Sequence, residues 1–490
     1  MLMPASMFRY GRRVAVAALL VLLFAGAMRQ LRIFDPDLWW HLRTGQTIIE
    51  TKSIPCSDIF SYTNPGREWV AHEWLSEIFI HAVYRVSSSG GMVIVFALVI
   101  TLAFWVTYLR CETPPLIAGA ALIVGALASM PTWGVRPQML TLLLSSIFLF
   151  VLGNYTRGNG TGRLWWLVPL TALWANLHGG FVLGLVLIFL TGVGAALDVL
   201  AEVEQGTSLW RRLRPLCFVL TGCVLAGLLT PHGLRLYSYP LETIASHAQQ
   251  TYIAEWRSPN FQQSTFLPLA FLILATFSAL ALSPKRVRLS ELLLLTAMCY
   301  MALRSGRHIP FLSLVAVPLL AEHTLLWAET HRWGRTLAAP ERPSSGTQII
   351  PNVVLLLLPT ALAIIITSQV VTDLPTTEAT DVPVAAVDYV QSHQIKGPIY
   401  NTYSWGGYLI WRLYPEHRVY IDGRADVYGD NFFDEFVKIY RGVEGWREPF
   451  DRYGVRTVLI EPRSSLATSL RQQSEWEKVF EDDKSVVFIK

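Results

Sequence analysis

The chain reads as a polytopic α-helical membrane protein with a small α/β domain at its C-terminal end. Three observations carry this reading. Of 490 residues, 52% are hydrophobic and only 16% charged, with a mean hydropathy of +0.38, whereas a soluble protein carries about a quarter charged residues. Apolar runs of roughly 15 to 22 residues recur along the first three quarters of the chain, the length a helix needs to cross a bilayer. After residue 380 the composition turns ordinary, with alternating strand-like and helix-like segments.

A basic start, with Arg9, Arg12 and Arg13, precedes the first apolar run, Val14 to Met28. It reads as a retained signal-anchor helix with a cytoplasmic N-terminus. A signal peptide cleaved near Ala25-Gly26-Ala27 is the competing reading. Residues 29–90 form a long first external loop, in which Trp69 to Val86 predicts an amphipathic helix along the membrane interface. Further runs at 91–109, 115–130, 138–153, 164–177, 179–198, 213–230, 264–282, 288–303, 309–328 and 349–370 bring the expectation to about eleven spans. The transmembrane domain thus covers 1–370, a polar linker 371–380, and an external α/β domain 381–490. In that domain Val384 to Ser392 and Asn431 to Tyr440 read as helices. Pro398 to Trp411, Arg418 to Ile421, Arg456 to Glu461 and Ser485 to Ile489 read as strands. Glu341 to Gly346 is a flexible-looking stretch.

Alternating the spans places short, Arg-rich loops inside: Arg110; Arg157 and Arg163; Arg211, Arg212 and Arg214; Lys285, Arg286 and Arg288; Arg332, Arg335 and Arg342. This is the positive-inside pattern, so the net charge of +4 is a topology signal and implies no nucleic-acid partner. The acceptor-like triplets at Asn154 and Asn159 then fall inside and are discounted. The five cysteines, Cys56, Cys111, Cys217, Cys223 and Cys299, show no metal spacing and predict no disulfide framework.

The same topology puts every unusual polar segment on the external side. These are Asp35 to Gly45, His72-Glu73-Trp74, Trp133 to Gln138, Asn176 to Gly180, Thr230 to Gly233, Glu255 to Pro259 and Arg304 to His308. Carboxylates at a membrane edge are costly without a task, and Trp is expected at that depth. Asp35 and Asp37, followed by Trp39, Trp40, His41 and Arg43, are therefore the candidate catalytic acids with their surroundings. One of them, Asp37 by position, also suits the N-cap of a helix from Leu38 to Glu50. His41 and Arg43 alone would read as interfacial anchors, His72 and Glu73 as a solvated helix face, and His178 and His232 as turns before glycine. Arg304, Arg307 and His308 would snorkel, but three basic groups where positive charge is normally depleted suit phosphate oxygens.

The Asp-Pro-Asp-Leu-Trp-Trp-His-Leu-Arg stretch just after the first span resembles the first-loop motif of GT-C superfamily membrane glycosyltransferases, above all the oligosaccharyltransferase catalytic subunits. Tyr403 to Ile410 is similar to their Trp-Trp-Asp-Tyr-Gly segment, followed likewise by an Asp-Gly, Asp422-Gly423. Gly406 or Gly407 stands where that segment has its Asp, and the loop around Trp133 lacks the family's second acidic pair.

The resemblance implies a GT-C-like fold and transfer of a sugar or glycan from a polyprenyl-phosphate-linked donor to a glycan, lipid or protein acceptor at the extracytoplasmic face. Asp35 or Asp37 would be the base, Arg304, Arg307 and His308 would hold the donor phosphate, and Glu255, His72, Glu73, His178 and His232 would face substrate. Trp405, Tyr408, Asp422, Arg424 and Asp426 would contact acceptor or sugar from the external domain, or else form that domain's core. A divalent metal, magnesium or manganese, is left open. The expected location is the plasma membrane of a bacterium or archaeon. A scaffold or transporter that binds lipid-linked glycans is the alternative, although no paired broken helices or internal repeats favour transport.

Overall fold

The computed structural model describes residues 8–33, 35–158, 160–201, 208–331, 334 and 349–490. The helical region comprises α1 (Phe8–Gln30), α2 (Leu38–Thr51), α3 (Trp74–Tyr108), α4 (Pro115–Ser129), α5 (Gln138–Thr156), α6 (Leu167–Leu177) and α7 (Phe181–Leu200). It continues with α8 (Leu209–Ala226), α9 (Arg235–Ala245), α10 (His247–Tyr252), α11 (Leu267–Leu282), α12 (Leu289–Arg304), α13 (Ile309–Glu329) and α14 (Ile349–Asp381). Each apolar run expected from the sequence lies mostly in helical structure. Among the described residues, seven are long and apolar enough to cross a membrane, namely α3, α4 with the turn that follows it, α5, α7, α11, α13 and α14. Asn159, Arg332, Arg335, Arg342 and the Glu341–Gly346 stretch lie outside the described residues.

The two ends of the bundle differ in chemistry, and α5 spans from one to the other. At its Thr156 end the basic loops converge. Arg157 donates to the Arg110 carbonyl, Arg212 to the Tyr155 carbonyl and Arg288 to the Thr156 carbonyl. At its Gln138 end gather the polar segments singled out above, together with the C-terminal domain.

Several local expectations are revised. The helix expected from Trp69 begins at Trp74 and runs on past residue 86 to Tyr108, broken only at Ser88, whose φ of 55° lies outside helical space. Residues 371–380, expected as a linker, continue α14, because nothing but two prolines interrupts its helical pattern. The C-terminal domain holds α15 (Val384–Ser392), β1 (Ile399–Asn401), α16 (Gly406–Leu413), α17 (Ala425–Tyr428), α18 (Asp430–Tyr440), α19 (Arg447–Arg452), β2 (Thr457–Ile460), α20 (Ser465–Arg471), β3 (Glu477–Glu481) and β4 (Val486–Ile489). Pro398–Trp411 is therefore a three-residue strand followed by a helix. Its four apolar residues in a row, Tyr408 to Trp411, read equally as strand or buried helix from sequence. Arg418–Ile421 forms only isolated bridges, Val419 pairing with Ser61 and with Ile399. The sheet order is β1-β2-β4-β3, parallel between β1 and β2 and antiparallel elsewhere.

The first loop and this domain are knit into one body. The Val419 N–H donates to the Phe60 carbonyl at 3.0 Å, Thr63 donates to the Tyr420 carbonyl at 2.7 Å, and Arg43 donates to the Tyr414 carbonyl. The centre of the joint is Arg424, which is 2% exposed. Its guanidinium lies 2.8 Å from Asp58 of the loop and 2.7 Å from Asp422 of the domain. It also stacks 4.5 Å from the Trp69 ring and 5.0 Å from Phe60. Removing one partner of such a buried pair strands the other charge, at a cost of about 3 kcal/mol. Asp58→Ala is accordingly expected to lower the melting temperature in detergent by several degrees and to expose the C-terminal domain to protease. An unchanged melt and digestion pattern would show that this joint does not hold the domain.

Candidate active site

The Gln138 end of the bundle encloses a cavity of about 570 Å³. Asp35, Asp37, Trp40, His41, His72, Glu73, His178, Glu255, Arg307 and His308 all line it, and so do Arg424 and Asp426 of the C-terminal domain. Residues more than 350 positions apart in sequence thus line one cavity.

Asp35 and Asp37 sit at the head of α2. Pro36 keeps the chain from entering the helix before Asp37, and the Leu38 N–H bonds back to the Asp35 carbonyl at 3.1 Å. Asp37 occupies the N-cap position, but its backbone is already helical and its side chain makes no cap hydrogen bond. Its Oδ1 instead accepts from the Trp40 indole at 3.1 Å. It also lies so close to Gly423 that a Cβ there would collide with it. The carboxylate expected as a cap is therefore turned into the cavity, against the C-terminal domain. Asp35 Oδ1 accepts the Asp37 N–H at 3.0 Å, and its Oδ2 lies 3.2 Å from Arg136 Nε.

Arg136 is the residue that sequence reasoning missed, although its segment was singled out. Its other face meets Glu255 at 2.7 Å, and Glu255 in turn meets Arg307 at 3.1 Å. The result is a chain of alternating charge, Asp35–Arg136–Glu255–Arg307, with Arg307 also lying 5.0 Å over the Trp256 ring. Burial pushes the Glu255 carboxyl up, but the two guanidinium groups outweigh it and hold it at about 2. Burial raises both Asp35 and Asp37. Asp35 has Arg136 as a counterweight, whereas Asp37 is pushed further by Asp35 itself, up to about 7. One acid of the pair is thus bound into a salt-bridge chain and the other is poised to exchange a proton near neutrality. The cation beside the pair is Arg136, and the backbone and indole donors take further oxygen lone pairs.

The remaining expectations divide cleanly. Arg304 is exposed, sits off the cavity wall and reaches Gln250 at 3.5 Å, because the turn at Ser305 directs it away while Arg307 turns inward. Trp39 and Tyr408 are not on the wall. They pack edge to face, 5.1 Å between ring centres, and dock α16 on α2. Trp405 and Asp422 are buried in the domain, Arg43 holds Tyr414, and His232 lies beside the cavity without lining it. Arg424 touches the cavity, but its charge is spent on Asp58 and Asp422. Asp426 does face it, raised by burial to about 6, and Tyr403 and Ser404 stand beside it.

Glu255 contributes stability that is full above its ordinary value of 4.5 and lost only as pH falls toward about 2. Arg136→Gln is expected to lower the melting temperature at neutral pH. The deficit should shrink on acidification, as the stranded Asp35 and Glu255 carboxylates take up protons. A deficit independent of pH would mean that Arg136 acts by packing and not by charge.

No family model matches the chain, and no curated protein matches it in sequence. Solved structures do. ArnT from Cupriavidus metallidurans, bound to undecaprenyl phosphate, is 15% identical with a TM-score of 0.50, over 97% of each chain. The archaeal oligosaccharyltransferase AglB from Archaeoglobus fulgidus, in complex with an inhibitory peptide and a dolichol-phosphate, is 12% identical with a TM-score of 0.53. That match covers 91% of this chain and 69% of AglB. At these identities the likeness is one of fold: the chain shares the overall fold of these two solved structures along nearly its whole length.

Proposed function

We propose that the protein is a membrane glycosyltransferase that moves a sugar or glycan from a polyprenyl-phosphate-linked donor to an acceptor hydroxyl at the extracytoplasmic face. The observation that carries this reading is that one cavity is lined both by the Asp37 carboxyl, turned into it from the head of α2, and by the guanidinium groups of Arg136 and Arg307. Such a donor brings its own leaving group, so transfer needs a base and a phosphate-facing cation but no strong acid.

In this reading the acceptor oxygen forms the new bond to the anomeric carbon and its proton passes to Asp37. The bond from that carbon to the phosphate oxygen breaks, with its electron pair leaving on the phosphate. Arg307 and Arg136 face the departing charge. Asp35 holds Arg136 in place and is a positioning residue. The wall formed by Val182, Val186, Ile244 and Phe311 suits the prenyl chain, and the two structural neighbours carry polyprenyl phosphates. Tyr403, Ser404 and Asp426 of the C-terminal domain offer the acceptor its polar contacts.

The test is transfer by purified protein from polyprenyl-phosphate sugars, followed by mass spectrometry. Asp37→Asn is expected to lower turnover by about 10²- to 10⁴-fold, the usual contribution of a general base. The wild-type rate should rise with pH through about 7 and level off above it, because the deprotonated carboxylate is the active form. Arg307→Ala is expected to raise the donor KM about tenfold. Donor binding without transfer by wild-type protein would favour the scaffold reading. Full activity of Asp37→Asn would remove Asp37 as the base.

A further inference from the structure

Behind the two acids, a turn further along α2, the cavity holds a second cluster that the proposed transfer does not use. His41 Nδ1 lies 3.3 Å from Glu77 Oε1 and 3.8 Å from Glu73 Oε2, and the ligating atoms of all three residues lie within 4.8 Å of one another. Four donors around a tetrahedral ion at the usual zinc bond length of about 2.05 Å stand roughly 3.3 Å apart, the His41–Glu77 spacing, and the Glu73 carboxylate would close in from its wider separation. All three residues are buried, and Glu77 is 1% exposed. Its second oxygen, Oε2, is buried without any hydrogen-bond partner. A carboxylate oxygen so placed calls for a cation or a proton.

The surroundings orient the cluster as metal ligands are usually oriented. The Gly180 N–H donates to His178 Nδ1 at 2.9 Å, so His178 carries its proton on Nε2 and donates it to Glu73 Oε1, 3.3 Å away. His178 therefore steers the carboxylate and is not itself a ligand. Its ring is fixed in turn by Thr141, 2.9 Å from Nδ1, which accepts from the Trp174 indole at 2.8 Å. His72 has the other tautomer. Its Nδ1 donates to the Val70 carbonyl at 3.1 Å, which leaves the Nε2 lone pair facing Glu73 Oε1 across 3.8 Å. Two acceptors facing each other in a buried site repel unless something positive lies near. The scaffold beneath is close-fitting. Gly45, one turn after His41, lets α2 approach the Glu77 backbone where any side chain would collide.

We propose that His41, Glu73 and Glu77 form a binding site for a divalent transition-metal ion of the zinc class, oriented by His178 and open toward the cavity. The mixed imidazole and carboxylate set selects zinc over magnesium, which takes oxygen donors and keeps its waters. Three protein ligands with one side open is the arrangement that leaves a coordination position for an exogenous oxygen. The site is separate from Asp35, Asp37 and Arg136, and its existence does not depend on the transfer reaction proposed above.

The experiment is zinc binding to the full chain in detergent, after removal of metal with a chelator, by calorimetry and by elemental analysis of the re-dialysed protein. Wild type is expected to take up about one zinc per chain, with a rise in melting temperature on zinc addition. Millimolar magnesium should leave that rise unchanged. Glu77→Gln removes the charge of an unsatisfied carboxylate and should melt no lower than metal-free wild type, while His41→Gln keeps a polar group that can reach Glu77 and serves as the second variant. Each should weaken zinc binding at least tenfold and lose the zinc-dependent rise. Absence of stoichiometric zinc in wild type, or equal binding by the Glu77→Gln/His41→Gln double variant, would overturn the proposal. Competition by magnesium at equal concentration would overturn the zinc-class assignment.

Discussion

The arrangement of this molecule depends on one buried cation. Arg424 sits between a carboxylate of the first loop and one of the C-terminal domain, with the Phe60 and Trp69 rings beside it. A guanidinium can be left in so dry a place only if its charge is matched and its plane is stacked, and both conditions are met by residues from the two parts of the chain. The turn that carries Arg424 also carries Gly423 and Asp426. Holding it against the loop presses Gly423 onto Asp37 and presents Asp426 to the cavity. The cavity is therefore a product of the joint between loop and domain as much as of the helical bundle.

Within that cavity, charge is sorted by what each acid can reach. Asp35 and Glu255 share Arg136, and Glu255 has Arg307 as well, so these groups form a linear chain of alternating charges. Asp37 stands one residue beyond its end. It has an indole for company where Asp35 has a guanidinium, and a neighbouring acid that resists its ionisation. Two aspartates two residues apart are given different acidities by their surroundings, which is the usual way a site separates a reactive carboxyl from a fixed one. The same logic holds deeper in, where His72 and His178, both kept neutral by burial, are set in opposite tautomers by a carbonyl and an amide.

Much of this was legible in the amino-acid sequence. Hydrophobic run length, Arg-rich loops and the change in composition after residue 380 were enough for the membrane class and the appended domain, because bilayer thickness acts on every span in the same way. The Asp35–Gly45 stretch marked the site, since acids, indoles and a histidine at a membrane edge are costly anywhere else. His72, Glu73, His178, Glu255 and Arg307 were singled out on similar grounds and do line the cavity.

What sequence could not decide was which polar residue meets which. Arg304 and Arg307 are alike on paper, yet the turn at Ser305 leaves one exposed and the other on Glu255. Trp39 and Trp40 are adjacent, and helical periodicity sends one to Tyr408 and the other to Asp37. The role of Arg136 depends on carboxylates about a hundred residues away on either side, and that of Gly45 on the closeness of α2 to α3. Local pattern reports the solvent a segment must face, a property of its own residues. Charge pairing and close approach are properties of pairs distant in sequence, and only the folded chain brings those pairs together.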